Sequence, residues 1–161
     1  MNINSIKLMC CPLCHSELTL SVREFTKDYI IEGLLECTRC ERVYPIKEGI
    51  PDFLVNEILS GRDRKVMLEY ERIALNYDIF VSYIVPLVSL GLEPFERYLW
   101  IRELRLRAGS VVLDVATGTG RNLGFLVRKV GKYGRIFGLD ISWNVLLIAK
   151  GRQKDTEMLN L

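Results

Sequence analysis

Two groups of residues in this chain have types and spacings suited to chemistry. The first is a double pair of thiols, Cys11-Pro12-Leu13-Cys14 and Cys37-Thr38-Arg39-Cys40. A CxxC turn points two thiolates the same way, and two such turns facing one another offer four sulfurs to one tetrahedral ion. Zn²⁺ is the ion this donor set prefers, although iron in a thiolate tetrahedron leaves the same signature. Four protein ligands leave no position for water, so the metal is expected to be structural. It would hold together a segment too small to bury an adequate core. Cys10 is the odd thiol: Cys11 and Cys14 make the better turn around Pro12, which leaves Cys10 free. His15, the one histidine of the chain, follows a ligand without a positioned partner and reads as a surface residue, not a general base.

The second group is the stretch Val111 to Gly120, VVLDVATGTG, followed by Asp140. Asp114 is an acid near the end of an apolar run, and Gly118 and Gly120 allow positive φ and a close backbone approach to a ligand. A dinucleotide fingerprint needs a third small residue where Leu123 stands, so a pyrophosphate fits poorly. A phosphate-binding P-loop needs a Lys after its last glycine, and Arg121 stands there instead. What remains is a nucleoside-type site, in which an acid ending the next strand, Asp140, is placed to accept two ribose hydroxyls.

The elements that must position these groups follow from periodicity. Val111, Val112, Leu113 and Val115 predict a short parallel strand buried on both faces. Leu123, Leu126, Val127 and Val130 predict the helix after the glycine turn, and Arg135 to Leu139 the second strand. Ser142 is expected to cap a helix from Trp143 to Lys150 that Gly151 ends. Around the thiols, Leu18, Leu20 and Val22 alternate as in a half-buried strand, and Tyr29 to Leu35 offers another. Between the two regions, Val66, Tyr70, Ile73 and Tyr77, with Met67 and Ala74 beside them, mark an amphipathic helix. The uncharged stretch Ile79 to Leu92 reads first as a buried helix kinked at Pro86, and second as an apolar wall facing a hydrophobic acceptor. Phe95 to Leu106 is the next helix. Its Arg97 and Arg102, with Arg105 and Arg107, are expected to form a solvated basic face rather than a phosphate-binding one.

VLDVATGTGR followed by GLDIS resembles class I S-adenosylmethionine-dependent methyltransferases, in particular the menaquinone and ubiquinone C-methyltransferase-like branch. The resemblance implies cofactor-binding roles for Asp114, Ala116, Thr117, Gly118, Thr119, Gly120, Asp140 and Ile141. Asp114 would serve the methionine end, Asp140 the ribose and Ile141 the adenine. It supplies no catalytic residue. Tyr70-Glu71-Arg72-Ile73-Ala74 and Tyr77-Asp78 resemble the helix that closes over the cofactor in that branch. The CPLC and ECTRC segments, with Val43-Tyr44-Pro45-Ile46-Lys47-Glu48-Gly49-Ile50-Pro51-Asp52-Phe53-Leu54, are similar to short zinc-ribbon subunits that activate methyltransferases. The metal ligands implied are Cys11, Cys14, Cys37 and Cys40.

The expected fold class is therefore α/β. A zinc ribbon (1–55) precedes a helical linker or lid (56–108) and the first β-α-β-α part of a Rossmann-like S-adenosylmethionine-binding sheet (109–161). Two strands are few for a doubly wound sheet, so the rest would come from a longer enzyme, a partner chain or a dimer. The chain has 161 residues, 49% hydrophobic and 26% charged, which supports folded domains over disorder. Its net charge of +2 is too small to imply nucleic acid. No signal-peptide pattern opens MNINSIKLMCC, and Ile79 to Leu92 is too short to span a membrane. Five cysteines without an export signal favour the cytoplasm and metal over disulfides. The function expected is methyl transfer from S-adenosylmethionine to an unidentified acceptor, RNA or a small apolar molecule. The alternative is a non-catalytic zinc-ribbon module that binds and stabilises a methyltransferase, and an RNA-binding ribbon is a third.

Overall fold

The computed structural model describes residues 1–27, 29–152 and 159–160. The chain divides into two compact units, one built on Met1–Asn56 and the other on Glu57–Leu159.

The first unit is an antiparallel meander of four strands in sequence order: β1 (Leu18–Thr26), β2 (Tyr29–Cys37), β3 (Val43–Lys47) and β4 (Ile50–Pro51). The register sets Leu20 opposite Leu35 and Leu35 opposite Tyr44, so alternate side chains share one face. Ile30, Leu35, Tyr44 and Ile46 are buried there with Leu18, Val55 and the sulfurs of Cys11 and Cys37. The alternation at Leu18 to Val22 and the run from Tyr29 locate β1 and β2. The two short strands after Cys40 carry too few residues for periodicity to declare them.

The second unit opens with α1 (Gly61–Ile79). Ser60 caps it, accepting from the Asp63 amide at 3.1 Å while its hydroxyl donates to the Asp63 carboxylate at 2.7 Å. Ala74, expected beside the stripe, is the residue that α1 buries, and Ile73 and Tyr77 of the stripe are half-buried, whereas Val66 and Tyr70 stay exposed. The helix also carries polar anchors. Glu71 accepts from the Asn144 amide at 3.2 Å, and Arg152 donates to Asp78 at 2.6 Å, tying α1 to the last helix.

Ile79 to Leu92 is not the buried kinked helix expected. Phe80–Ile84 forms a π turn that leads into the four-residue α2 (Val85–Val88), then a turn with Leu90 and Gly91 at positive φ. The π turn precedes Pro86, which has no N–H for a regular turn and whose ring would crowd the carbonyl one turn back. Phe80, Tyr83, Leu87 and Val88 are exposed. α3 (Leu92–Glu103) follows. No single helix among the described residues is long and apolar enough to cross a membrane.

β5 (Val111–Val115) and β6 (Arg135–Leu139) pair in parallel, Leu113 opposite Phe137, through the crossover helix α4 (Leu123–Val130). A two-residue strand, β7 (Leu159–Asn160), gives the sheet order β5-β6-β7 and adds to the two strands the periodicity predicted. Leu123, Leu126 and Val130 of α4, Ile136 of β6, and Val145, Leu146 and Ala149 of α5 (Trp143–Arg152) are the buried apolar residues here. Burial of β5 on both faces is corrected: Val111, Leu113 and Val115 are 60%, 58% and 68% exposed. β5 is an edge strand, and among the described residues no helix covers the face those side chains share. Ser142 caps α5 as expected, accepting from the Val145 amide at 3.4 Å. Gly151 does not end that helix, which runs on to Arg152. The polar tail expected after it lies mostly outside the described residues.

Candidate functional site

The four thiols converge. Cys11 and Cys14 sit in the turn before β1, Cys37 ends β2 and Cys40 lies in the turn beyond it. Both turns are built alike. The amide of the residue after the second cysteine donates to the carbonyl of the first, His15 to Cys11 at 2.9 Å and Glu41 to Cys37 at 3.1 Å. Both residues take left-handed backbone, φ 58° and 54°. Each first cysteine then donates its own amide five residues on, to Ser16 and to Arg42, at 2.9 Å in each case. His15 is exposed and serves this turn, and Cys10 is an exposed free thiol.

The sulfurs of Cys11, Cys14, Cys37 and Cys40 all lie within 4.8 Å of one another. Cys11 and Cys40 are 3.7 Å apart and Cys14 and Cys37 3.3 Å. A tetrahedron with Zn–S bonds of about 2.3 Å has S···S edges of about 3.8 Å, so the donor set fits that ion with little movement. The Arg39 and Cys40 amides each donate to the Cys37 sulfur at 3.4 Å. Burial works against a thiolate at Cys11. The Tyr44 hydroxyl, 3.1 Å from that sulfur, and the turn's amides outweigh it and bring the thiol down to about 6. Cys40 moves the other way, to about 11: the Arg42 backbone favours its thiolate, but the neighbouring sulfurs and burial oppose it more strongly.

The second group surrounds the turn between β5 and α4. Asp140, one residue past β6, points back at this turn: its carboxylate accepts from the Gly118 amide at 2.9 Å and from the Ser142 amide at 3.1 Å. The Thr117 amide closes the turn on the Leu139 carbonyl at 2.9 Å. Ala116, Gly118 and Gly120 all have positive φ. The two glycines do different work. A Cβ on Gly118 would meet nothing within 4 Å, whereas one on Gly120 would lie 2.8 Å from Leu123 and 3.1 Å from Ala149. Gly118 therefore borders open space, and Gly120 lets the turn lie against α4 and α5. Thr119 is buried, and its hydroxyl has no partner among the described residues. Open space at Gly118, that orphaned hydroxyl and a carboxylate aimed at the turn fit a bound nucleoside. Ile141 is half-buried beside Asp140.

Asp114 belongs to a longer network. Its carboxylate accepts from the Thr117 hydroxyl at 2.8 Å and from the Asn122 amide group at 3.1 Å. The Asn122 side-chain carbonyl accepts from Arg97 at 2.5 Å, and Arg97 pairs with Glu93, which also takes Arg121 at 2.6 Å. Arg97 thus leaves the solvated basic face predicted for it, while Arg102, Arg105 and Arg107 remain exposed.

The family comparison decides what this arrangement belongs to: the model described as the ubiE/COQ5 methyltransferase family matches residues 59–161. The chain belongs to that family. The model of Trm112p-like proteins matches residues 6–49 of the same chain, across all four clustered cysteines. Among similar relatives, the demethylmenaquinone methyltransferase of Oceanobacillus iheyensis is 31% identical over 102 residues, 63% of this chain and 41% of that protein. The 2-phytyl-1,4-naphtoquinone methyltransferase of Thermosynechococcus vestitus is 36% identical over 83 residues, 52% of this chain and 35% of that protein. This family member spans about two fifths of the length of the curated relatives it matches. Among solved structures, a Haloferax volcanii complex of the Trm112 methyltransferase activator with its putative methyltransferase contains a chain 42% identical over 37% of this chain and 100% of that one, at a TM-score of 0.35. A SAM-dependent methyltransferase from Aquifex aeolicus is 25% identical over 40% of this chain and 36% of that one, at a TM-score of 0.38.

Sequence reasoning missed Tyr44, Glu93, Arg97, Arg121 and Asn122. Asn122, two residues past the glycine turn, carried one usable signal, a polar side chain at a helix start, and the four-residue spacing of Glu93 and Arg97 carried another. The contacts of Arg97 to Asn122, Glu93 to Arg121 and Tyr44 to Cys11 join residues distant in sequence.

Proposed function

We propose that this chain is the cofactor-binding part of an S-adenosylmethionine-dependent methyltransferase with a structural zinc ribbon at its front. The division proposed is 1–55 for the ribbon, 56–108 for the helical lid and 109–161 for the cofactor sheet. The observation that carries this reading is the Asp140 carboxylate directed onto the Gly118 amide at 2.9 Å, across a turn that opens at Gly118. Membership of the ubiE/COQ5 family supports it.

A bound sulfonium supplies an already activated methyl group. The protein then has mainly to position donor and acceptor, an effect worth up to about 7–11 kcal/mol in favourable cases. Asp114, held by Thr117 and Asn122, keeps lone pairs free for an ammonium group at the methionine end. Asp140 likewise keeps acceptor sites for ribose hydroxyls beyond its two backbone amides. The backbone of Ala116 to Gly120 approaches the nucleoside, and Ile141 packs on the base. Cys11, Cys14, Cys37 and Cys40 hold zinc, which orders the ribbon and does no chemistry on the substrate. The relatives named for demethylmenaquinone and 2-phytyl-1,4-naphtoquinone favour an apolar ring as methyl acceptor over RNA.

Calorimetric titration of the zinc-loaded chain with S-adenosylmethionine tests this reading. Saturable binding that disappears in Asp140→Ala is the expected result. No heat at millimolar cofactor, with tight binding to a separate methyltransferase chain, would replace it with the non-catalytic ribbon module.

A further inference from the structure

We propose that Arg97, on the helix before the cofactor sheet, is a positioning residue that sets the affinity for the amino-acid end of the cofactor by orienting Asn122 against Asp114. This rests on the cofactor site proposed above and adds to it a residue outside the glycine turn.

The argument turns on which group can donate. A guanidinium has only donors and a carboxylate only acceptors. Asn122 lies between one of each, with Arg97 2.5 Å from its carbonyl oxygen and Asp114 3.1 Å from its amide nitrogen. Its orientation is therefore forced while Arg97 is present. Without Arg97 the Asp114 carboxylate still favours the same orientation, but the Asn122 side chain loses its second anchor and holds Asp114 less rigidly. Asp114 would then rely mainly on the Thr117 hydroxyl, 2.8 Å away, to fix its rotamer.

Arg97 is itself fixed. Its Nε donates to Glu93 at 3.1 Å, a second nitrogen of the same guanidinium also contacts Glu93, and the other Glu93 oxygen takes Arg121 at 2.6 Å. Arg121 is the residue after Gly120, so Glu93 joins α3 to the exit of the glycine turn. The side chains of Glu93, Arg97 and Arg121 are about four-fifths buried, which shields these pairs from screening. Arg97 thus gains its rigidity from α3 and from the turn together. Among the described residues Asp140 bonds to the Gly118 and Ser142 amides and to none of these three side chains, so the ribose end should not sense the change.

Two probes separate the ends of the site: S-adenosylmethionine, and 5′-methylthioadenosine, which keeps the adenosine but lacks the amino-acid portion. We expect Arg97→Met to weaken S-adenosylmethionine about ten-fold, the scale of one hydrogen bond to a charged group, and to leave 5′-methylthioadenosine unchanged. Arg97→Lys should recover part of the loss. Asn122→Ala should weaken S-adenosylmethionine similarly, and the double variant Arg97→Met/Asn122→Ala should be no weaker than Asn122→Ala alone. Equal loss of both probes in Arg97→Met and Arg97→Lys would mean a merely structural role and overturn the proposal, as would unchanged S-adenosylmethionine affinity. A wild-type chain that binds neither probe would instead overturn the cofactor site, and this inference with it.

Discussion

The carboxylate of Asp140 accepts the amide of Gly118 at 2.9 Å, joining the residue after β6 to the turn after β5. The same carboxylate takes the Ser142 amide at 3.1 Å, so one side chain pins two loops. Asp140→Asn keeps the volume but turns one acceptor into a donor facing an amide. The variant should lose about 1–3 kcal/mol of stability in urea unfolding. A loss below about 0.3 kcal/mol would show the contact to be slack.

Gly118 and Gly120 should separate cleanly under alanine substitution. Both have positive φ, so each variant carries backbone strain of about 1–2 kcal/mol. Only Gly120→Ala also drives a methyl into Leu123 and Ala149, adding about 1–3 kcal/mol. Thermal unfolding should therefore rank Gly120→Ala well below Gly118→Ala, while the second variant should lose more cofactor affinity than stability.

Glu93 gives the second unit an acid-sensitive contact. Burial pushes its carboxyl up, but the guanidiniums of Arg97 and Arg121 outweigh this and hold it below the ordinary carboxylate range. A carboxyl depressed in the folded state stabilises fully above its unfolded value, and that stability is lost as pH falls through the folded value. Urea midpoints of wild type and Glu93→Gln should differ near neutral pH and converge below about pH 4. Parallel curves down to pH 3 would contradict the pairing.

Removal of the metal should unfold the ribbon and spare the parallel sheet. With chelator, amide protection is expected to vanish in β1 to β3 and to persist in β5 and β6, as hydrogen exchange would report. Tyr44→Phe should make the same loss easier. Without the hydroxyl beside Cys11, that thiol titrates higher than about 6, and zinc should leave at a higher pH on acidification. An unchanged release pH would remove Tyr44 from the account.

How much of this was legible in the sequence depended on whether partners are close along the chain. The CxxC turns, the glycine turn and the acid after the second strand are local patterns, and the structure brings the four thiols together and sets Asp140 against Gly118. Arg97 looked like one of four solvated arginines because nothing in the order of residues places Asn122 beside it. The burial expected of Val111, Leu113 and Val115 failed for a related reason. An apolar run tells which residues prefer a core but not whether an element arrives to cover them. Pro86 was recognised as a break, but the π turn that accommodates it leaves no mark in composition.

The two left-handed residues that close the thiol turns give the ribbon headroom for improvement. His15 and Glu41 hold a backbone shape that glycine adopts freely, and neither side chain is among the four sulfur donors. The chain's sole imidazole thus sits on a backbone shape that a side chain disfavours. Protein engineers seeking a hardier ribbon would begin at these two positions, each next to a thiol ligand in sequence yet supplying no sulfur of its own.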